Sequence, residues 1–118
     1  MKTILITCLL FLVSINFISA QTTLNAGDIA IVGINCDDPD DFAFVLLTDI
    51  EAGTIINFTD DGWFASGGFR NTEGVIAFTS PSNLSAGTVI IYSVDSLDFV
   101  NVSGSFSLSA SGDQIIAF

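Results

Sequence analysis

The sequence predicts an all-β fold, a two-sheet sandwich of about seven strands standing behind a cleavable signal peptide helix. Three observations carry this. From Asp28 onward, short β-branched and aromatic runs alternate with clusters of Gly, Asn, Asp and Ser, which is how strands and turns read. No stretch of that region carries a helical apolar period. The first twenty residues have the layout of an export signal.

That leader comprises Lys2 as a positive start, an apolar run from Ile4 to Ile18, and Ser19-Ala20 before Gln21. The run is interrupted by Thr7, Ser14 and Asn16, and at 15 residues it falls short of the roughly 20 apolar residues that span a bilayer. Cleavage after Ala20 is therefore expected, dividing the chain into a signal peptide (1–20) and one secreted domain (21–118). Cys8 leaves with the leader, so Cys36 has no intrachain partner. It reads as a small residue at a strand end or as a thiol for an intermolecular bridge.

The expected strands are Asp28 to Ile34, Phe42 to Thr48, Thr54 to Thr59, Val75 to Thr79, Thr88 to Val94, Ser105 to Ser109 and Asp113 to Phe118. Phe42-Ala-Phe-Val-Leu-Leu47 is apolar at every position, as in a central strand covered on both faces; Ser105-Phe-Ser-Leu-Ser109 alternates, as in a half-exposed one. A local device recurs ahead of strands: Ala26-Gly27-Asp28, Ala52-Gly53-Thr54, Ala86-Gly87-Thr88 and Ser111-Gly112-Asp113. Glycine takes the positive φ of such a turn, and the uneven spacing marks turn chemistry instead of a repeat. The chain ends inside the apolar run Ile115-Ile-Ala-Phe118, from which a longer protein is expected.

Charge narrows the function. Without Lys2, Arg70 alone faces 13 acidic side chains, a side-chain net of −12. Nucleic acid and anionic lipid are poor partners for that surface, because both are bound through Lys and Arg. With half of its residues hydrophobic and 11 Phe, the chain nevertheless has the composition of a folded protein. Histidine is absent, which removes the usual general base and the commonest zinc ligand. A domain this small offers no long cleft for a carboxylate pair, so no enzyme is expected.

Two segments carry candidate sites. Asn35-Cys-Asp-Asp-Pro-Asp-Asp41 gathers Asp37, Asp38, Asp40 and Asp41 around a proline. Because Ca²⁺ takes about six to eight oxygen ligands, this loop with Asp60 and Asp61 is a candidate calcium site, beside the plainer reading of a solvated acidic turn. The loop Gly and distal Glu of an EF-hand are missing. Asp60-Asp61-Gly62-Trp63-Phe64, with Ser66-Gly-Gly-Phe-Arg70, is the second. Exposed Trp63 and Phe64 can stack on a sugar or pin a protein, with Arg70 pairing to a carboxylate. Asn57, Asn83 and Asn101 head glycosylation sequons.

The order of these motifs resembles the lamin-tail domain, an immunoglobulin-like sandwich that also occurs in secreted bacterial multidomain proteins. The resemblance rests on Ile29-Ala-Ile-Val-Gly-Ile34, on Asp41-Phe42-Ala-Phe44-Val45 and on Asp61-Gly62-Trp63. It continues through Phe78, then Leu84-Ser-Ala-Gly87 before Thr88-Val-Ile-Ile-Tyr92, and ends in Phe106-Ser-Leu108-Ser-Ala-Ser-Gly112-Asp113. Val45-Leu46 stands where the family has a Glu-Leu pair, and the family's last hairpin has no counterpart. The resemblance implies a buried Trp63 wedged between the sheets and no catalytic residues. It implies an accessory role: a non-catalytic extracellular binding or adhesion module for a glycan or protein. The alternative is a domain attached to a secreted hydrolase or nuclease whose catalytic part lies outside this chain.

Overall fold

The computed structural model describes residues 20–118; the leader read from residues 1–19 lies outside the described residues. Among the described residues the chain forms seven strands and no helix: β1 Ile29–Asn35, β2 Asp41–Leu46, β3 Ile55–Thr59, β4 Val75–Thr79, β5 Val89–Ser93, β6 Phe99–Ser103 and β7 Ile116–Ala117. All pairings are antiparallel. One sheet has the order β1-β2-β5 and the other β6-β4-β3-β7, giving a β-sandwich. The first, second and fifth strands of the immunoglobulin fold neighbour one another in the same order. Among the described residues no helix is long and apolar enough to cross a membrane.

The core lies between the sheets and is aromatic. Phe42, Phe44 and Leu46 alternate along β2 and are buried, and they meet Ile56 and Phe58 of β3 and Ile76 and Phe78 of β4. Phe44 and Phe58 have ring centroids 4.9 Å apart and Phe42 and Phe58 5.0 Å, within the range of favourable tilted aromatic pairs. Each such ring contributes roughly 1.5–3 kcal/mol by leaving water. Tyr92, Phe99 and Phe106 close the same cluster at its rim.

The repeated turn behaves as its sequence demands. Gly27, Gly53, Gly87 and Gly112 all have positive φ, and the amides of Asp28, Thr54 and Thr88 each donate to the carbonyl three residues back, at 3.0–3.1 Å. These are turns that need glycine at their third position.

Three expectations are corrected. β2 is central in its sheet, but only one of its faces meets the core: Asp41, Ala43 and Val45 point outward beside exposed Val89 and Ile91 of β5. Phe99–Ser103 is a strand, paired with β4. Ser105 to Ser109 is not one, although its alternation does place Phe106 and Leu108 inward. The amides of Ser107, Leu108 and Ser109 are taken by carboxylates instead of a neighbouring strand. Of the segment Asp113 to Phe118, only Ile116–Ala117 forms a strand, because the amide of Gln114 is turned to the Asp113 carboxylate.

Candidate functional site

β3 ends at Thr59 and is followed by Asp60-Asp61, and all three residues are buried. Burying polar groups is costly unless they find partners, and here each finds them in the backbone. The Thr59 hydroxyl donates to the Gly74 carbonyl at 2.7 Å and accepts from the Asp61 amide at 3.0 Å. Asp60 Oδ1 accepts from the Gly74 amide and Oδ2 from the Ser107 amide, both at 2.8 Å. Its carbonyl accepts from Gln114 Nε2. Asp61 Oδ1 accepts from the amides of Thr72 at 2.8 Å and Glu73 at 3.2 Å, and from the Thr72 hydroxyl at 3.3 Å. Charge-assisted bonds of this kind are about twice as strong as neutral ones. No buried side-chain polar atom among the described residues lacks a partner.

These bonds tie residues 59–61 to residues 72–74, and the chain between them is thereby held as a short hairpin standing off the sandwich. Trp63 and Phe69 pair as an antiparallel bridge. The Arg70 amide donates to the Gly62 carbonyl and the Phe64 amide to the Gly68 carbonyl, both at 3.0 Å. Gly67 and Gly68 turn the tip with φ of 94° and 92°, a conformation that side chains on those residues would oppose.

The hairpin carries apolar rings into solvent. Trp63 is 56% exposed and Phe64 46%, so the buried wedge implied by the lamin-tail resemblance is not what the structure has. The reason is local: Asp60 and Asp61 occupy the buried positions before Gly62, and the chain has already left the sandwich when it reaches Trp63. Trp63 stands edge-on to Phe69, with centroids 5.0 Å apart, and Phe69 tilts against Phe118 at 4.9 Å. The Arg70 guanidinium lies 5.3 Å from the centre of the Phe64 ring, within cation–π range. Its Nε would lie 3.0 Å from a β-carbon at Gly62, so glycine there lets the guanidinium stem fold over the strand.

Other acidic residues also accept backbone amides. Asp40 Oδ2 accepts from the Leu108 amide at 2.8 Å and from the Ser107 hydroxyl at 3.3 Å. Asp113 Oδ2 accepts from the Ser109 amide at 2.8 Å. Three consecutive amides, Ser107 to Ser109, thus end on Asp60, Asp40 and Asp113. In the acidic loop, Asn35 organises the turn by donating to the carbonyls of Asp37 and Pro39 at 3.1 Å and to Asp41 at 3.4 Å. Asp37 and Asp38 are exposed.

The two acidic segments predicted to meet do so only through Ser107, which joins Asp40 to Asp60; Asp61 turns away toward Thr72. Among the described residues no group of three or more His, Cys, Asp or Glu is placed to hold a metal ion. The clustered charge is felt nearby. The Glu73 carboxyl is raised above its ordinary 4.5 by slight desolvation, then by Asp60, Asp113 and Asp61. Tyr92 is raised above 10.0 by burial, then by Asp40 and Asp60. Cys36 follows β1 as a free, half-buried thiol.

Sequence reading singled out Trp63, Phe64 and Arg70; the structure sets Trp63 against Phe69 and Phe69 against Phe118, and separately Arg70 over Phe64, so that Phe69, within the segment but given no role, and Phe118, which was missed, join the site. Phe69 is three residues beyond Ser66 on a Gly-Gly turn, and hairpin pairing across that turn is the signal that sets it opposite Trp63. Phe118 is 49 residues later in sequence, and only the β3–β7 pairing brings it there. No protein-family model matches the chain, and no curated protein and no solved structure matches it.

Proposed function

We propose that this is a non-catalytic, exported binding module of lamin-tail-like type that attaches to an extracellular partner protein through the Trp63–Arg70 hairpin. The observation that carries the reading is the exposure of Trp63 and Phe64 on a hairpin stapled at both ends by buried carboxylates. Large apolar rings held rigidly in water cost solvation and little further entropy when covered, and Trp and Arg are the residue types that dominate binding energy at protein interfaces. The export signal read in residues 1–20 and the acidic surface support an extracellular setting. The absence of histidine from the sequence supports a role without acid–base catalysis.

Attachment of the purified, labelled protein to intact cells of its source tests this. Trp63→Ala and Phe64→Ala are expected to reduce attachment at least about tenfold together, the loss typical of interface anchors. Protease treatment of the cells should abolish attachment, and periodate oxidation of their glycans should leave it. Attachment insensitive to both substitutions would refute the hairpin as the contact face. Loss on periodate alone would make the partner a glycan.

A further inference from the structure

β5 is the outer strand of one sheet and β6 of the other, and residues 94–98 carry the chain across between them. A cavity of about 250 Å³ lies beside that crossing. Three half-buried rings, Tyr92, Phe99 and Phe106, form its apolar wall. Tyr92 is held in place by stacking on Phe42 at 5.1 Å and by edge contacts with Phe99 at 5.1 Å and Phe106 at 5.4 Å. Although the chain has 13 acidic side chains, none of them lines this cavity, and neither does Arg70.

The polar groups that border it are neutral, and several are fixed without being used up. Asn101 Nδ2 donates to the Gly104 carbonyl at 3.1 Å, which sets the plane of the amide and leaves Oδ1 to accept. The Ser93 and Ser96 hydroxyls bond each other at 3.1 Å. The hydroxyls of Tyr92 and Ser105 have no partner among the described residues, and since no unpaired side-chain polar atom is buried there, both open to water. Burial, then Asp40 and Asp60, raise Tyr92 above 10.0, so its phenol stays protonated at neutral pH and can both donate and accept. The same two carboxylates repel an anion. A cation would find no carboxylate on the wall to pair with, and a hydrocarbon would strand the amide and the hydroxyls.

We propose that this pocket binds a single neutral pyranose, with the apolar C–H face of the sugar ring against Phe99 and Phe106 and its hydroxyls on Tyr92, Asn101 and Ser105. Such a ring combines one apolar face with a rim of uncharged donors and acceptors, which is the combination the wall presents. At roughly 30 Å³ per water molecule the space equals about eight waters, enough for one sugar ring and short of the roughly 300–1,000 Å³ that drug-sized ligands occupy. A ligand of that size, held by a few hydrogen bonds, binds in the millimolar range. That is too weak to hold a cell through one site, so the pocket goes beyond the hairpin reading and stands apart from it.

The probes are the methyl glycosides of glucose, galactose and mannose, titrated into the isotope-labelled protein while its backbone amide resonances are followed. At least one should saturate in the millimolar range, moving amides within residues 92–106 and leaving those of 62–70 in place. The matching uronide, in which a carboxylate replaces the hydroxymethyl group, should bind at least about tenfold more weakly. Tyr92→Phe keeps the packed ring and removes only the hydroxyl. It should leave the Tm within about 2 °C and weaken binding by about fivefold, the loss of one hydrogen bond; Asn101→Ala should weaken it by a similar factor. Failure of all three glycosides to saturate by about 0.1 M, or uronide binding equal to that of the neutral sugar, would overturn the proposal. So would shifts centred on residues 62–70, or unchanged binding by Tyr92→Phe. Cell attachment tests the hairpin separately, and neither result decides the other.

Discussion

Asp60 and Ser107 are 47 positions apart in sequence, and the carboxylate of one receives the backbone amide of the other at 2.8 Å. With its second oxygen on the Gly74 amide, Asp60 joins the end of β3, the start of β4 and the irregular segment after β6. A buried carboxylate thus does the work that a neighbouring strand does elsewhere in a sheet. Asp60→Asn keeps the shape and loses this. One oxygen becomes an amide nitrogen and faces a backbone donor it cannot accept from. Urea denaturation should show a loss of about 2–3 kcal/mol, the cost of stranding a buried donor that had a charged acceptor.

Gly74 is the partner on the other side of that bond. A β-carbon there would collide with the backbone of Ser105 and Phe106. Backbone cannot swing aside as a long side chain does, so Gly74→Ala should destabilise more than Asp60→Asn. A fall in Tm above about 10 °C is expected, since 1 kcal/mol moves the Tm of a domain of this size by about 4–8 °C.

The core and the hairpin should separate cleanly under substitution. Phe58 is wholly buried and touches Phe42, Phe44 and Phe99, so Phe58→Ala should cost about 3–5 kcal/mol. That is a large share of the roughly 5–15 kcal/mol that holds a typical domain folded. Trp63→Ala removes an even larger ring from a half-exposed position and should change stability by no more than about 1 kcal/mol. Chemical denaturation of the two variants side by side checks the contrast.

Stability should also respond to pH through Glu73. Its folded-state pKa lies above the ordinary 4.5, first through desolvation and then through Asp60, Asp113 and Asp61. A carboxyl raised on folding favours the folded state while protonated, and that contribution is lost as pH rises through the folded pKa. Glu73→Gln removes the like-charge repulsion present at neutral pH. Its Tm should exceed that of the parent at pH 7, with the difference closing below pH 4.5. Because Glu73 is exposed, the gain is small and shrinks with salt.

Calcium is tested by the same melting experiment. The carboxylates of Asp40, Asp60 and Asp61 already accept amide bonds, which a cation would have to displace. Millimolar Ca²⁺ against a chelator should therefore leave the Tm unchanged. A rise on adding Ca²⁺ would show that the acidic loop and Asp60-Asp61 rearrange around a cation.

The strands from Ile29 to Ser93 were legible in the sequence because each is an apolar β-branched or aromatic run bounded by turn residues. The repeated glycine turn marked where β1, β3 and β5 start. Ser105 to Ser109 was misread for an instructive reason. Alternation reports which side chains face the core, and Phe106 and Leu108 do face it. It says nothing about what pairs the backbone, which here is Asp40, Asp60 and Asp113. β6 was missed because Phe99-Val-Asn-Val102 is brief and follows the polar turn at Asp95 to Asp98. At the site, Trp63, Phe64 and Arg70 were visible as residue types beside a Gly-rich turn. Their exposure was not, because it depends on Asp60 and Asp61 being buried, and acidic residues in a loop read first as solvated.

Trp63 is the single tryptophan of the chain, so its fluorescence reports on the hairpin alone. Quenching by acrylamide, measured in the native protein, in the urea-denatured chain and after addition of the partner surface, tests the central claim most directly. The account predicts native quenching close to that of the denatured chain, with protection once the partner is bound. A tryptophan shielded in the free native protein and quenched only on unfolding would contradict it, and would place Trp63 between the sheets.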